Sequence, residues 1–190
     1  MPETNRFVQP RTRADISILA TAVRTALHLG DGRVAMAPLL EIALPEILPD
    51  YEFLIVEDHQ MPGAEGFTDL SKPIISMPQS VYDALLEACP RARFTAAHEL
   101  GHLLMHSGSH VQYARAEHAN VSTDPEWQAN EFAGAFLMPE QPFRQCRSVE
   151  EAVQRFGVGY KAAQVRANRL QHRFRDDQQK KGRKHMARAP

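Results

Sequence analysis

The chain is predicted to be an α+β domain, a small sheet packed on helices, and three observations carry that expectation. Apolar residues recur at helical spacing from residue 14 to 29 (Ile16, Leu19, Ala20, Val23, Leu27) and the pattern stops at Gly30. Two short β-rich runs follow, Phe53 to Val56 and Pro73 to Met77, separated by the turn-forming segment Met61-Pro62-Gly63-Ala64-Glu65-Gly66. Beyond them the pattern is helical again, over Arg93 to His106, Ser122 to Phe132 and Val149 to Leu170. A further helical piece is expected from Pro38 through Leu44, broken by Pro45 and Pro49, because proline has no N–H to give and its ring crowds the preceding turn.

Composition bounds the class. The 190 residues are 43% hydrophobic and 24% charged, which is enough for one good core and excludes disorder over most of the length. No stretch has the length of a membrane span, and the first residues lack the apolar run of a signal peptide, so a cytoplasmic location and no membrane contact are expected. The two cysteines, Cys89 and Cys146, form no CxxC pair and read as reduced thiols.

The segment Arg93-Phe94-Thr95-Ala96-Ala97-His98-Glu99-Leu100-Gly101-His102-Leu103-Leu104-Met105-His106 carries the chemistry. Residues four apart on a helix share a face, so His98 and His102 can aim their rings at one ion. Zinc suits neutral imidazole at about 2.0–2.1 Å and, in catalytic sites, takes three protein ligands with one position left open. Glu99, between the two, is placed to act as general base toward water. Gly101 costs about 1 kcal/mol relative to alanine in a helix, a cost that close packing beside the site would explain.

Two histidines alone do not hold catalytic zinc, and the next helix supplies the third ligand. Asp124 is an expected N-cap with Pro125 at the first helical position. Glu126 then falls in the first turn, where the helix dipole favours its ionised form, and it is the chosen third ligand. Asn130, one turn on, can accept the free N–H of a ligating ring, while Glu131 points elsewhere. Glu117 and His118 are weaker rivals in a polar loop. His106 lies about 12 Å along the axis from His98, too far to share the ion, and is assigned a structural or supporting role. The longer pattern with Gly and His after the second histidine is absent, since Met105 and Gly108 occupy those positions.

The blocks RARFTAAHELGHLLMH and DPEWQANEFAGAFLMP resemble the ImmA/IrrE family of metallopeptidases, best over Arg91 to Pro139 and more loosely from Tyr51 onward. The resemblance implies a zincin-like core, with a small sheet on an HExxH helix and a Glu-bearing helix after it. It implies His98, His102 and Glu126 as zinc ligands and Glu99 as the catalytic base. The arrangement is also similar to thermolysin-like gluzincins, except that Asn130 stands where those enzymes carry Asp, and a neutral amide orients a ligand histidine less strongly. A further implication is a protein substrate, a helix-turn-helix repressor or antitoxin-like regulator, cut under stress or in mobile-element induction.

Three segments are expected: a metallopeptidase domain at 1–146, a helix-turn-helix-like extension at 147–171, and a basic, disordered tail at 172–190. The extension reads as helix, Gly-containing turn, helix, and Lys161, Arg166 and Arg169 could contact DNA; packing on the core is the commoner fate of such a pair. From His172 on, seven Lys or Arg stand against two Asp, which suits either a solvated tail or an electrostatic contact. An edge strand within Gly66 to Ser76 could pair with an extended substrate, or be capped by the neighbouring loop. Tyr113, His110, His118 and Arg115 are candidate oxyanion donors, Tyr113 first. The rival to a peptidase is a regulatory module that keeps the zinc fold and binds its partner without turnover.

Overall fold

The computed structural model describes residues 6–107, 112–113 and 121–175. In chain order the elements are β1 (Arg6–Phe7), α1 (Arg13–Ala26), α2 (Met36–Pro38), α3 (Leu44–Ile47), β2 (Glu52–Val56), β3 (Phe67–Asp69), β4 (Ile74–Pro78), α4 (Gln79–Leu86), α5 (Pro90–His106), β5 (Gln112–Tyr113), α6 (Pro125–Leu137), α7 (Glu140–Arg144), α8 (Val149–Phe156) and α9 (Tyr160–Arg169). The arrangement is α+β: a three-stranded sheet accompanied by a majority of helices. Among the described residues no helix is long and apolar enough to cross a membrane.

Helix α1 opens on a reciprocal cap. The Asp15 amide donates to Thr12 Oγ1 at 3.2 Å, and the Thr12 amide donates to the Asp15 carboxylate at 2.9 Å, so two otherwise orphaned donors are satisfied. Its end corrects the sequence expectation. The left-handed position falls on His28 (φ 51°), ahead of Gly30, and the Leu29 amide closes back on the Arg24 carbonyl at 2.9 Å. The buried Arg24 guanidinium accounts for the early stop. It donates to the carbonyls of Gly30, Gly32 and Phe136, drawing the chain after α1 back over the helix.

Pro45 does not break its helix either. The helical run continues from α2 through a π turn, Leu39–Ala43, into α3, where Pro45 occupies the first turn. In the widened turn the Leu44 amide reaches Leu39, five residues back, which relieves the crowding that a proline ring meets in a regular helix.

In the sheet β4 is central, parallel to β2 (Phe53 opposite Ile75) and antiparallel to β3 (Thr68 opposite Ile75). Ile75 and Met77 are fully buried, because the pleat turns every second residue of β4 toward the helices. β3 is left as an edge. The observed edge, Phe67–Asp69, is the short first part of the segment expected to contain it.

The core is organised by α5 and α6. Leu100, Ala96 and Ala97 of α5 meet Phe132, Ala133 and Phe136 of α6, all fully buried, and the rings of Phe132 and Phe136 stack at 5.5 Å. The two helices come so close at Gly101 that a Cβ there would lie 3.1 Å from the Phe132 ring and 3.3 Å from the Ala129 Cα. The glycine in the helix is thus explained by the approach of a second backbone.

Helices α8 and α9 share this core through Ala152, Phe156, Ala163 and Ala167. Gly157 (φ 62°) ends α8 in the left-handed conformation. Arg93, buried in the first turns of α5, donates to the carbonyls of Phe156 (3.0 Å), Gly157 (2.8 Å) and Val34 (2.7 Å). The basic residues of α9 are partly turned inward: Arg166 is buried and donates to Met138 O at 3.0 Å, and Arg169 pairs with Glu131 at 3.0 Å. Phe174, placed in the tail by charge alone, is 3% exposed and packs on Phe143 with ring centroids 5.8 Å apart. Residues 176–190, the bulk of that tail, lie outside the described residues.

Substituting Gly101→Val should lower stability to denaturant by about 1–3 kcal/mol, since the extra atoms must push α6 away from α5. A variant as stable as the parent in a urea melt would show that the close approach is dispensable.

Candidate metal centre

α5 carries His98 and His102 one turn apart, with ring centroids 4.6 Å apart and Nε2 atoms 3.0 Å apart. Across the cleft, Asp124 caps α6 by accepting the Glu126 amide at 2.9 Å, with Pro125 at the helix start. That cap leaves the Glu126 side chain free to reach over. Its Oε2 lies 3.2 Å from His98 Nε2 and its Oε1 3.3 Å from His102 Nε2. The three groups are the metal-capable cluster of the described residues, their ligand atoms within 4.8 Å of one another.

These separations suit a cation. Ligand atoms at about 2.0–2.1 Å from one tetrahedral centre stand about 3.3 Å from each other, close to the spacing seen here. Without a positive charge among them, two imidazole nitrogens and a carboxylate present lone pairs to one another at contact distance. The Glu126 carboxyl is held well below the ordinary carboxylate range by its hydrogen-bond contacts, with His102 first and His98 second. Burial acts to lower the pKa of His98, but the Glu126 and Glu99 carboxylates and the Asn130 side chain together raise it. The Glu126 side chain is 66% exposed, so the cluster opens to solvent on that side.

Glu99 faces away from this triangle into the side of the cleft formed by β3. It is 7% exposed, and the Thr68 hydroxyl lies 2.7 Å from its Oε2 and 3.0 Å from its backbone carbonyl. Gly66, just before β3, makes room for it: a Cβ at that position would sit 2.7 Å from Glu99 Cγ and 3.0 Å from Oε1. The cleft, about 500 Å³, is lined by β3 and by His98, Glu99, His102 and Glu126, with Val8 and Pro125 at its border.

The remaining expected residues fall as follows. Asn130 hydrogen-bonds His98, as the spacing on α6 suggested. Glu131 is turned to the other side of α6, where Arg13 (3.3 Å) and Arg169 (3.0 Å) pair with it and tie α1 and α9 to α6. His106 is fully buried, with its Nδ1 3.1 Å from His102 Nδ1 and its Nε2 3.1 Å from Gln128 Oε1. Burial pushes the His106 pKa down to about 4. Glu117 and His118, and the proposed oxyanion donors His110, Arg115 and the Tyr113 side chain, lie outside the described residues.

Sequence reasoning missed Gly66, Thr68 and Gln128. The first two sit in a run of turn and strand residues that carries no chemical signature. Gln128 left no trace of its own, being one of several polar residues on α6 beside Glu126, Asn130 and Glu131.

Residues 86–168, from the end of α4 through most of α9, match a peptidase family described as IrrE N-terminal-like domain. Over that segment, which is less than half of the chain, the match supports the ImmA/IrrE resemblance read from the sequence. For an IrrE-like peptidase domain a metal is implied, and the His98, His102 and Glu126 cluster lies inside the matched segment. Among solved structures the IrrE-like fold is similar to that of a Mycobacterium tuberculosis transcriptional regulator, at 19% identity and a TM-score of 0.55. The likeness covers 80% of this chain and 46% of the regulator, so the chain spans about half the length of that protein. No curated protein matches the chain.

Replacing Thr68 by Val takes away a donor from the buried Glu99 carboxylate and should cost about 1–3 kcal/mol of stability. Thr68→Ser should recover most of that in the same denaturation experiment, and equal losses in both variants would put the effect down to packing.

Proposed function

We propose that the chain is a zinc-dependent endopeptidase with a zincin-like core that hydrolyses a peptide bond in a partner protein, a helix-turn-helix repressor or antitoxin-like regulator. The observation that carries it is the convergence of His98 Nε2, His102 Nε2 and the Glu126 carboxylate beside a buried, hydrogen-bonded Glu99. His98, His102 and Glu126 would hold the ion, and Glu99 would act as base. Zinc, when bound, supplies a Lewis acid that polarises the scissile carbonyl and makes water a better nucleophile near neutral pH.

The chain's own residues do the rest. Thr68 occupies Oε2 of Glu99, leaving Oε1 as the atom free to take a proton from attacking water and return it to the departing amine. β3 pairs with β4 on one side and lines the cleft on the other, so an extended substrate can add as a further strand beside Glu99. Phe67 of that edge is exposed and offers apolar surface to a substrate side chain. Gly66, with no side chain, leaves the base in place, since a Cβ there would meet Glu99. The regulator partner rests on the ImmA/IrrE resemblance of residues 86–168. Within the 147–171 extension, the inward contacts of Arg166 and Arg169 favour a packing role over nucleic-acid reading.

Glu99→Gln should keep zinc and lose peptide cleavage by several orders of magnitude, whereas His102→Ala or Glu126→Ala should lose the metal, read by elemental analysis after desalting. Incubating the purified chain with the repressor-like product of its neighbouring gene should give fragments that a chelator abolishes. An intact complex, indifferent to chelator, would make the protein a binding module. Gly66→Ala should lower cleavage with zinc content unchanged, because the added methyl displaces the flexible Glu99 side chain while leaving the ligands alone. Zinc at a hundred times its Kd should stabilise the fold by about 2.7 kcal/mol, seen as a rise in Tm that chelator reverses.

A further inference from the structure

The side chain of Gln128 is buried in α6, and its amide orientation is dictated by what surrounds it. Its Nε2 lies 2.9 Å from the Gln9 carbonyl and 2.7 Å from the Ser122 carbonyl. Carbonyl oxygens only accept, so both N–H groups of the amide are committed to them. Its Oε1 therefore accepts, and the group 3.1 Å away, His106 Nε2, must carry a proton. A neutral imidazole carries a single proton, and mildly alkaline solution keeps the ring neutral. With that proton on Nε2, the His106 Nδ1 is an acceptor, and it faces His102 Nδ1 at 3.1 Å.

We propose that Gln128 and His106 form a relay that fixes the proton of His102 on Nδ1, and so leaves the His102 Nε2 lone pair bare toward His98 and Glu126. Both are positioning residues, acting on the site through His102. The relay starts at two backbone carbonyls, one in the segment after β1 and one just before the Asp124 cap of α6. It thereby ties the N-terminal segment and the approach to Glu126 to the orientation of one imidazole. The inference deepens the proposed metal site and rests on it, yet the tautomer it assigns exists in the metal-free chain as well.

Long-range proton–nitrogen NMR on the metal-free full chain, at mildly alkaline pH, reads the tautomers directly. The expected pattern is His102 protonated on Nδ1 and His106 protonated on Nε2 alone. His102 carrying its only proton on Nε2 overturns the relay. Zinc affinity, measured by competition with a chromophoric chelator, gives the second arm. His106→Leu should weaken zinc by about 10–100-fold. His106→Asn, whose amide oxygen falls near the acceptor position, should retain most of the affinity. Unchanged affinity in the Leu variant, or an Asn variant as weak as Leu, reduces His106 to packing and overturns the proposal. Should the Leu variant fail to fold, the NMR measurement on the unaltered chain decides. If the unaltered chain binds no zinc, the metal reading fails, while the tautomer pattern still tests the relay.

Discussion

The contact between α5 and α6 at Gly101 sets the distance on which the candidate site depends. His98 and His102 belong to one helix and Glu126 to the other, so their ligand atoms meet only if the two backbones approach closely. A glycine on α5 facing the Ala129 Cα on α6 permits that approach, and the buried Phe132 and Phe136 rings hold it. Glycine's poor helix propensity is thus offset by dispersion contacts and apolar burial along the helix pair. The sheet enters as a third wall, bringing Thr68 and Gly66 against Glu99.

Electrostatics divides the site in two. Around His98, His102 and Glu126, lone pairs converge at 3.0 to 3.3 Å, an arrangement that favours a cation. Glu99 is held by its hydrogen bond to Thr68 and lies close against Gly66, where an added Cβ would have to displace it. Two carboxylates near one centre are so given different surroundings: Glu126 is open to solvent and paired with imidazoles, Glu99 is buried and held by a hydroxyl. Chemistry that needs one ligand and one proton carrier requires that difference.

What the sequence revealed followed physical regularity. The four-residue spacing of His98 and His102, and the Asp124-Pro125 start of α6, are local rules of a helix, and both held. The strands around Phe53 and Ile75 were legible from β-branched runs between turns. Helix ends were less so: the Arg24 guanidinium draws Gly30 and Gly32 back, so the left-handed turn falls at His28, and a π turn lets the helical run continue through Pro45. Buried arginines were equally hidden. Arg24, Arg93 and Arg166 look like surface charges in the sequence, but each is buried and donates to backbone carbonyls of other segments. Nothing local marks an arginine as a clamp, since the carbonyls it serves come from remote chain. Thr68 and Gly66 were unreadable for the same reason: their importance lies in facing Glu99 across the fold.

The two imidazoles are held in unlike ways, and the difference bears on how the site would behave. His98 is half-buried and hydrogen-bonded by the neutral amide of Asn130, an arrangement that leaves the ring some freedom. His102 is buried and backed by His106 and Gln128, whose own partners are main-chain carbonyls and cannot rotate to offer a donor instead. A buried polar chain of this kind is costly if any member is left unsatisfied, and it gives one geometry when all are. His102 is therefore the fixed reference of the cluster. Glu126, exposed on its outer side, and His98 are the members with room to adjust to an ion. Rigidity on one ligand with compliance on the others lets a cation be admitted from the open cleft without disturbing the α5 and α6 packing that brings the three together.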